Sequence, residues 1–277
     1  MAKPRLAFFS FASCEGCQLQ FLNLEDEILD IVPHVDIVEF REAIDNHSDD
    51  YDVAFVEGSI TRPSDEERVK HIRERAKVLV AFGACATTGG VNRLKNLQPL
   101  DKVLEYVYGE DRLVKERGPE DVLFEGARDY EYGGKRMLAV LETAPTRSVG
   151  EVVKVDYNLH GCPAAKKEIL ELTRALLQGR PPRVPDYPVC VDCKLAENIC
   201  LFHKGQFCLG VITRAGCDQV CPTVGGRCIG CRGLVTDPNK NAAKDVLADA
   251  GLSVDDILRE FRLFQAYADE MPAAKPK

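Results

Sequence analysis

The chain has no apolar run approaching the ~18 residues that a membrane-spanning helix needs, so no span is expected. Positive charge is in deficit: 36 Lys and Arg stand against 44 Asp and Glu, a net charge of −8. That balance argues against a nucleic-acid partner, which would call for a basic face. The apolar run within Met1 to Ser13 is too short for a secretory signal, and no twin-arginine pair precedes it. It reads as a first strand, and a cytoplasmic location is the expectation. Neither G-x-G-x-x-G nor a Walker pattern appears in the glycine-rich stretch Gly83 to Gly90. Glycines there suit close approach of backbone to some other group. The bacterial ferredoxin run of four closely spaced cysteines is missing too.

Cysteine is what the chain has in excess, with 12 in 277 residues. Hydrophobic content of 45% and charged content of 29% describe a globular protein of one large or two smaller domains. Disulfides suit exported chains, and cytosolic thiols are kept reduced. Catalysis would use one or two thiols. Metal ligation accounts for the number, in three groups of four.

As far as residue 165 or so, strand and helix signals alternate. Leu6–Phe11, Val35–Phe40, Val53–Val56, Val78–Phe82 and Val153–Leu159 are apolar runs of strand length. Phe21, Leu24, Ile28 and Ile31 recur at helical spacing before Pro33. Ser64 and Glu67 suggest a capping box for a helix to about Ala76. Pro163 suits the first position of a helix that Gly179 ends, with Ala165, Ile169, Leu172 and Leu176 on its apolar face. Residues 92–150 read as an insertion, with a Tyr-rich turn at Tyr130 to Gly134. The pattern predicts an α/β fold, a mostly parallel sheet with helices on both faces.

Ligands of such sheets bind beyond the carboxyl ends of the strands. Cys14 and Cys17 follow the first strand, Cys85 the fourth and Cys162 the last. All four are expected in strand-to-helix loops along one sheet edge, where they can converge despite their sequence separation. Arg180 to Pro188 is proline-rich and extended. The chain is divided there, into 1–180 and 181–277. Beyond it, eight cysteines lie between Cys190 and Cys231. Helices are expected over Ala242–Ala250 and after Ser253, the latter with Val254, Ile257, Leu258, Phe261 and Phe264 on one face. Ala273 to Lys277 reads as a disordered tail.

The gaps in Cys190-x2-Cys193-x6-Cys200-x7-Cys208 and Cys217-x3-Cys221-x6-Cys228-x2-Cys231 are irregular and rich in glycine. A zinc module more often pairs two C-x2-C knuckles, whereas a cuboidal cluster takes four thiolates from four directions. Pro163 after Cys162 and Pro222 after Cys221 echo the Cys-Pro pairs of cluster ligands. Spacing therefore favours iron–sulfur over zinc. Glu57 is open between a functional contact and a solvated strand end. His160 and His203 are open between ligand and hydrogen-bond partner, and Arg214 and Arg232 between tuning of a cluster and ordinary surface use.

Cys14-Glu15-Gly16-Cys17-Gln18, Gly83-Ala84-Cys85-Ala86, Gly161-Cys162-Pro163, and Thr213 to Cys217 through Gly230 to Gly233 together resemble the small subunit of [NiFe] hydrogenases. The closer resemblance is to the cytoplasmic methyl-viologen-reducing, coenzyme-F420-reducing and sulfhydrogenase types, over nearly the whole chain. It implies a flavodoxin-like domain with a proximal cluster on Cys14, Cys17, Cys85 and Cys162, followed by a smaller, irregular cysteine-rich domain with two more clusters. Periplasmic relatives carry a histidine in the distal site and a proline in the medial one, where this chain has Cys190 and Cys221. Three [4Fe–4S] clusters are thereby implied: medial on Cys217, Cys221, Cys228 and Cys231, distal on Cys190, Cys193, Cys200 and Cys208. The resemblance also implies a large-subunit partner holding nickel and iron, where H2 is split or formed. A further flavin- or iron–sulfur-containing acceptor subunit is implied as well. No catalytic residue is expected on this chain. A respiratory-type iron–sulfur subunit without hydrogenase activity and a structural zinc scaffold are the alternatives.

Overall fold

The computed structural model describes residues 3–99, 102–103 and 143–264. Within these, five apolar runs form β1 (Arg5–Ser10), β2 (Asp36–Phe40), β3 (Val53–Glu57), β4 (Val78–Phe82) and β5 (Tyr157–Leu159). All pair in parallel in the order β2-β1-β3-β4-β5. This is the flavodoxin-like order, with its switch point between β1 and β3. Every residue of β3, the central strand, is buried, as a strand covered on both faces should be.

Alternation along the strands divides the core in two. Leu6 and Phe8 of β1 face one way, Ala7 and Phe9 the other. On the first face Phe8 stacks on Phe40 and Phe55 at ring-centroid distances of 4.2 and 4.7 Å, and tilts against Phe21 at 4.7 Å. Three helices close this face: α1 (Gly16–Leu22), α2 (Asp26–Ile31) and, after α3 (Pro63–Arg75) and α4 (Gly83–Thr88), α5 (Lys166–Leu177). They supply Phe21, Ile31, Ile169 and Leu172. The opposite face takes Val69 and Ile72 of α3 and Val149.

Several elements differ from the sequence reading. The helix expected through Phe21 and Ile31 is broken in two, because Glu25 adopts a φ of 57° between α1 and α2. At α3 the cap lies two residues earlier than Ser64 and Glu67. Asp65 accepts from the Arg62 and Thr61 backbone N–H groups at 3.0 and 3.1 Å. β5 is only three residues long, since Val149–Glu151 forms a 3-10 turn and Asp156 instead ties back to β4 through the Leu79 N–H at 2.8 Å. Pro163 does not open a helix. It sits in a turn after a cis Cys162–Pro163 bond, and α5 starts at Lys166. The end at Gly179 is as expected, with φ 65° and the Gly179 and Arg180 N–H groups bonded to the Leu176 and Ala175 carbonyls.

The described flanks of residues 92–150 are well tied. Asn96 pairs with both backbone groups of Thr146 at 2.8 Å, and Arg93 forms a two-pronged bond with Glu151. The Tyr130 to Gly134 turn and the tail from Ala273 lie outside the described residues. Further along come α6 (Val189–Leu195), a single turn α7 (Val220–Thr223), α8 (Lys240–Asp249) and α9 (Val254–Arg262). Ser253 caps α9 by accepting the Asp256 N–H at 3.2 Å. Ile257, Phe261 and Phe264 are buried, whereas Val254 points to solvent.

Candidate metal centres

Parallel pairing sends the carboxyl ends of β1, β3, β4 and β5 to one edge, and the first cysteine set is there. Cys14 lies in the loop after β1. Cys17 and Cys85 lie in the first turns of α1 and α4 rather than in the loops themselves, and Cys162 lies in the turn after β5. The loops are tied together: the Ala84 N–H donates to the Gly161 carbonyl at 2.7 Å, and Ala12 and Ser59 exchange backbone bonds. Burial first, then the neighbouring Cys162 and Cys14 thiolates, push the Cys85 thiol up to about 12. Burial, Glu57 and Cys85 push Cys17 up as well. The four thiols therefore share one neighbourhood. Two glycines make room for them. A Cβ on Gly83 would stand 2.2 Å from Cys17 Sγ, and one on Gly90 3.0 Å from Cys85 Sγ.

A second set gathers around α6. Cys190 and Cys193 are three residues apart on that helix, and so share a face. Burial and the Cys208, Cys193 and Cys200 thiolates raise Cys190 to about 12. All four line one cavity, with Phe202 and Pro222 among its walls. In the third set, Cys217 neighbours Cys221 and Cys231, and Cys231 neighbours Cys228. Cys221, on the single turn α7, is exposed, while Cys228 is buried.

The three sets adjoin in a fixed order. Cys231 feels the charge of Cys162, and Arg232 beside it holds the His160 carbonyl at 2.7 Å. The Cys228 backbone N–H donates to Cys208 Sγ at 3.3 Å. The Cys217 set thus lies between the other two.

Among the residues left open by sequence, Glu57 is no solvated strand end: it is 2% exposed. Its carboxylate accepts the Cys17 and Gln18 backbone N–H groups and Gln18 Nε2, each at 3.1 Å. Burial raises its carboxyl above the ordinary value. The His160 imidazole is lowered to about 3, by burial first and then by Arg214 and Arg232, and its Nδ1 lacks a protein partner. His203 is exposed. Arg214 bonds Asp186 and the Pro185 and Leu234 carbonyls. Arg232 is 1% exposed and paired with Glu168, which excludes surface use. Sequence reasoning passed over Asn92, whose Nδ2 donates to the Ala12 carbonyl at 2.7 Å and Ser59 Oγ at 3.0 Å. It also passed over Asn198, which lines the cavity of the Cys190 set and donates from Nδ2 to Thr223 Oγ1 at 3.0 Å. Neither stands in a motif, and only the folded loops bring them to the site.

Each set offers what an iron–sulfur cluster takes from a protein, four thiols with small residues around them, and the Cys14 and Cys190 sets have N–H groups aimed at sulfur. The Cys228 N–H donates to Cys208 Sγ at 3.3 Å and Asn92 Nδ2 to Cys85 Sγ at 3.9 Å. Buried thiols with raised pKa values hold thiolate character only when a cationic centre compensates, and a bound metal inverts the local preference in that way. Among the described residues no three Cys, His, Asp or Glu side chains converge as ligands of a single ion. The donor chemistry fits a polynuclear centre in each set.

A flavodoxin-like sheet with thiols gathered at its carboxyl edge defines a redox component of an oxidoreductase. The chain belongs to the NADH ubiquinone oxidoreductase 20 kDa subunit family, which matches residues 14–176. Within that family it stands among the hydrogenase small subunits. It is 33% identical over 262 residues to the sulfhydrogenase 2 subunit delta of Pyrococcus furiosus, covering 94% of this chain and 98% of that one. It is 32% identical over 270 residues to a subunit of the F420-non-reducing hydrogenase vhu of Methanocaldococcus jannaschii, covering 89% and 88%. In structure it is similar to a chain of an NAD+-reducing [NiFe]-hydrogenase in the H2-reduced state, at TM-score 0.54 and 28% identity, over 66% of this chain and 96% of that one. No helix among the described residues is long and apolar enough to cross a membrane.

Proposed function

We propose that this chain is the electron-transfer subunit of a cytoplasmic [NiFe] hydrogenase, with three [4Fe–4S] clusters between a large subunit and a further redox subunit. The observation that carries the reading is the presence of three thiol quartets in sequence through space, adjoining at Cys162–Cys231 and Cys228–Cys208. The proximal ligands are Cys14, Cys17, Cys85 and Cys162. The medial ligands are Cys217, Cys221, Cys228 and Cys231, and the distal ones Cys190, Cys193, Cys200 and Cys208. When bound, such clusters exchange single electrons at potentials set by charge, burial and hydrogen bonds to sulfur. The chain's own residues ligate, bury and space them. Nickel, iron and the H2 chemistry belong to the large subunit, and a flavin- or iron–sulfur-containing subunit takes electrons onward. We divide the chain at 180/181, where the proline-rich stretch leaves the end of α5.

The family match ends at residue 176, before the eight later cysteines. A respiratory-type subunit would need only the first quartet. Three relatives at 31–33% identity extend over 89–95% of this chain and are hydrogenase subunits, which favours the hydrogenase reading. Iron, acid-labile sulfide and zinc analysis of the anaerobically purified complex tests it. About twelve irons and twelve sulfides per copy of this chain are expected beyond the large subunit's own metals, for three four-iron clusters. Stoichiometric zinc without sulfide would show a structural scaffold instead.

A further inference from the structure

Among the described residues Arg232 is the largest of the fully buried side chains. Its guanidinium uses the whole of its fork. Nε donates to the Ala215 carbonyl at 2.8 Å and the Arg214 carbonyl at 3.2 Å. Nη1 donates to the His160 carbonyl at 2.7 Å. Nη2 meets the Glu168 carboxylate at 2.6 and 2.7 Å. One side chain thus joins four places: the segment before Cys217, the residue after Cys231, the turn that holds Cys162, and α5.

The surrounding backbone is shaped around this pair. Gly216, with φ +112°, sits where a Cβ would fall 2.1 Å from Glu168 Oε1 and 2.7 Å from Arg232 Nη2. A Cβ on Gly233 would stand 3.1 Å from Thr88 Cγ2, on the helix that carries Cys85. The clamp brings Cys231, next to Arg232, to the turn of Cys162, two residues beyond the His160 carbonyl that Arg232 holds at 2.7 Å. A buried ion pair is a poor source of net stability, since desolvation offsets attraction, and its better-attested use is to fix register. Removing one partner strands the other charge, so the register is held strictly.

We propose that Arg232, held by Glu168, is a positioning residue that fixes Cys231 beside the turn of Cys162 and so sets the spacing between the first and second thiol sets. The inference rests on the reading of those sets as proximal and medial cluster ligands. That spacing governs how readily a single electron passes from one to the other, and no proton need move with it.

The test uses the anaerobically purified complex carrying Arg232→Lys, Arg232→Met or Glu168→Gln. Three quantities are read: iron and sulfide content, hydrogen exchange of peptides covering 158–166 and 212–218, and spin–spin interaction in the EPR spectrum of the fully reduced protein. Arg232→Lys and Glu168→Gln are expected to keep their full iron complement. Both should lose exchange protection in the two peptides and show weakened spin–spin broadening, with several-fold slower reduction of the later centres by H2. Unchanged exchange and spectra at full iron content would overturn the proposal. So would a Lys variant indistinguishable from wild type beside an impaired Met variant, since charge alone would then suffice. Loss of iron in proportion to loss of rate in both Arg232→Lys and Glu168→Gln would also overturn it, leaving a purely structural role. A wild-type complex without the expected iron and sulfide on this chain would instead remove the cluster reading on which the inference rests.

Discussion

Gly83 shows how closely single residues are matched to the thiols. It has φ +86°, and a Cβ there would meet Cys17 Sγ at 2.2 Å. A left-handed backbone costs a residue with a Cβ about 1–2 kcal/mol, and the displaced sulfur is a proposed ligand. Gly83→Ala is therefore expected to lose the proximal centre selectively, about four irons of about twelve, while the later sets stay filled. Iron counting with EPR of the reduced protein checks this. Gly16 is a milder case, since a Cβ would lie 3.3 Å from Cys14 Sγ. Arg232 and Glu57 are both charged and nearly fully buried, and both direct hydrogen bonds to groups beside cysteines. Sequence alone left each with an ordinary surface alternative, because burial of a charge depends on partners far away in the chain.

At the scale of elements, the parallel sheet was legible because its strands are continuous apolar runs and its helices have clear apolar faces. The convergence of Cys14, Cys85 and Cys162 followed from that topology, since every parallel strand ends at the same edge. Less legible was anything decided by backbone twist at single residues. The break at Glu25 and the turn after Cys162 have no hydrophobic period to announce them. The length of β5 was overestimated for a related reason: Val153 and Val155 pack against the second face from outside the strand. In the later segment, irregular loops carry no periodic signal, and only cysteine spacing showed their grouping. Cys221 is the informative position there. It lies on the first turn of α7 and is exposed. Proline is tolerated in a first helical turn. Cys221→Pro is expected to convert the medial centre to a three-iron form, with an oxidised-state EPR signal and the loss of about one iron. A change confined to the Cys190 set would show that the eight cysteines are divided differently.

Across the whole molecule, the source of stability changes along the chain. The sheet has two large cores, one built around Phe8, Phe21, Phe40, Phe55 and Phe82. One cluster of the later segment consists of Val189 and Leu201 packed with Cys208 and Cys228, against Cys193 and Cys217. A core built of ligands depends on what they hold, because metal binding free energy is then folding free energy. Anaerobic removal of iron with a chelator and oxidant is expected to open residues 186–236 to proteolysis while the sheet resists. Equal resistance of both parts, followed by mass spectrometry of the fragments, would show that the later segment folds without metal.

A relay through the three thiol sets in their order is the function proposed for the chain. Mössbauer spectroscopy of the 57Fe-labelled complex, before and after anaerobic exposure to H2, tests it most directly. About twelve irons in three four-iron centres are expected on this chain, with all three centres able to accept electrons delivered from the large subunit. A single four-iron centre that responds to H2, with the other eight cysteines holding zinc or nothing, would contradict the relay.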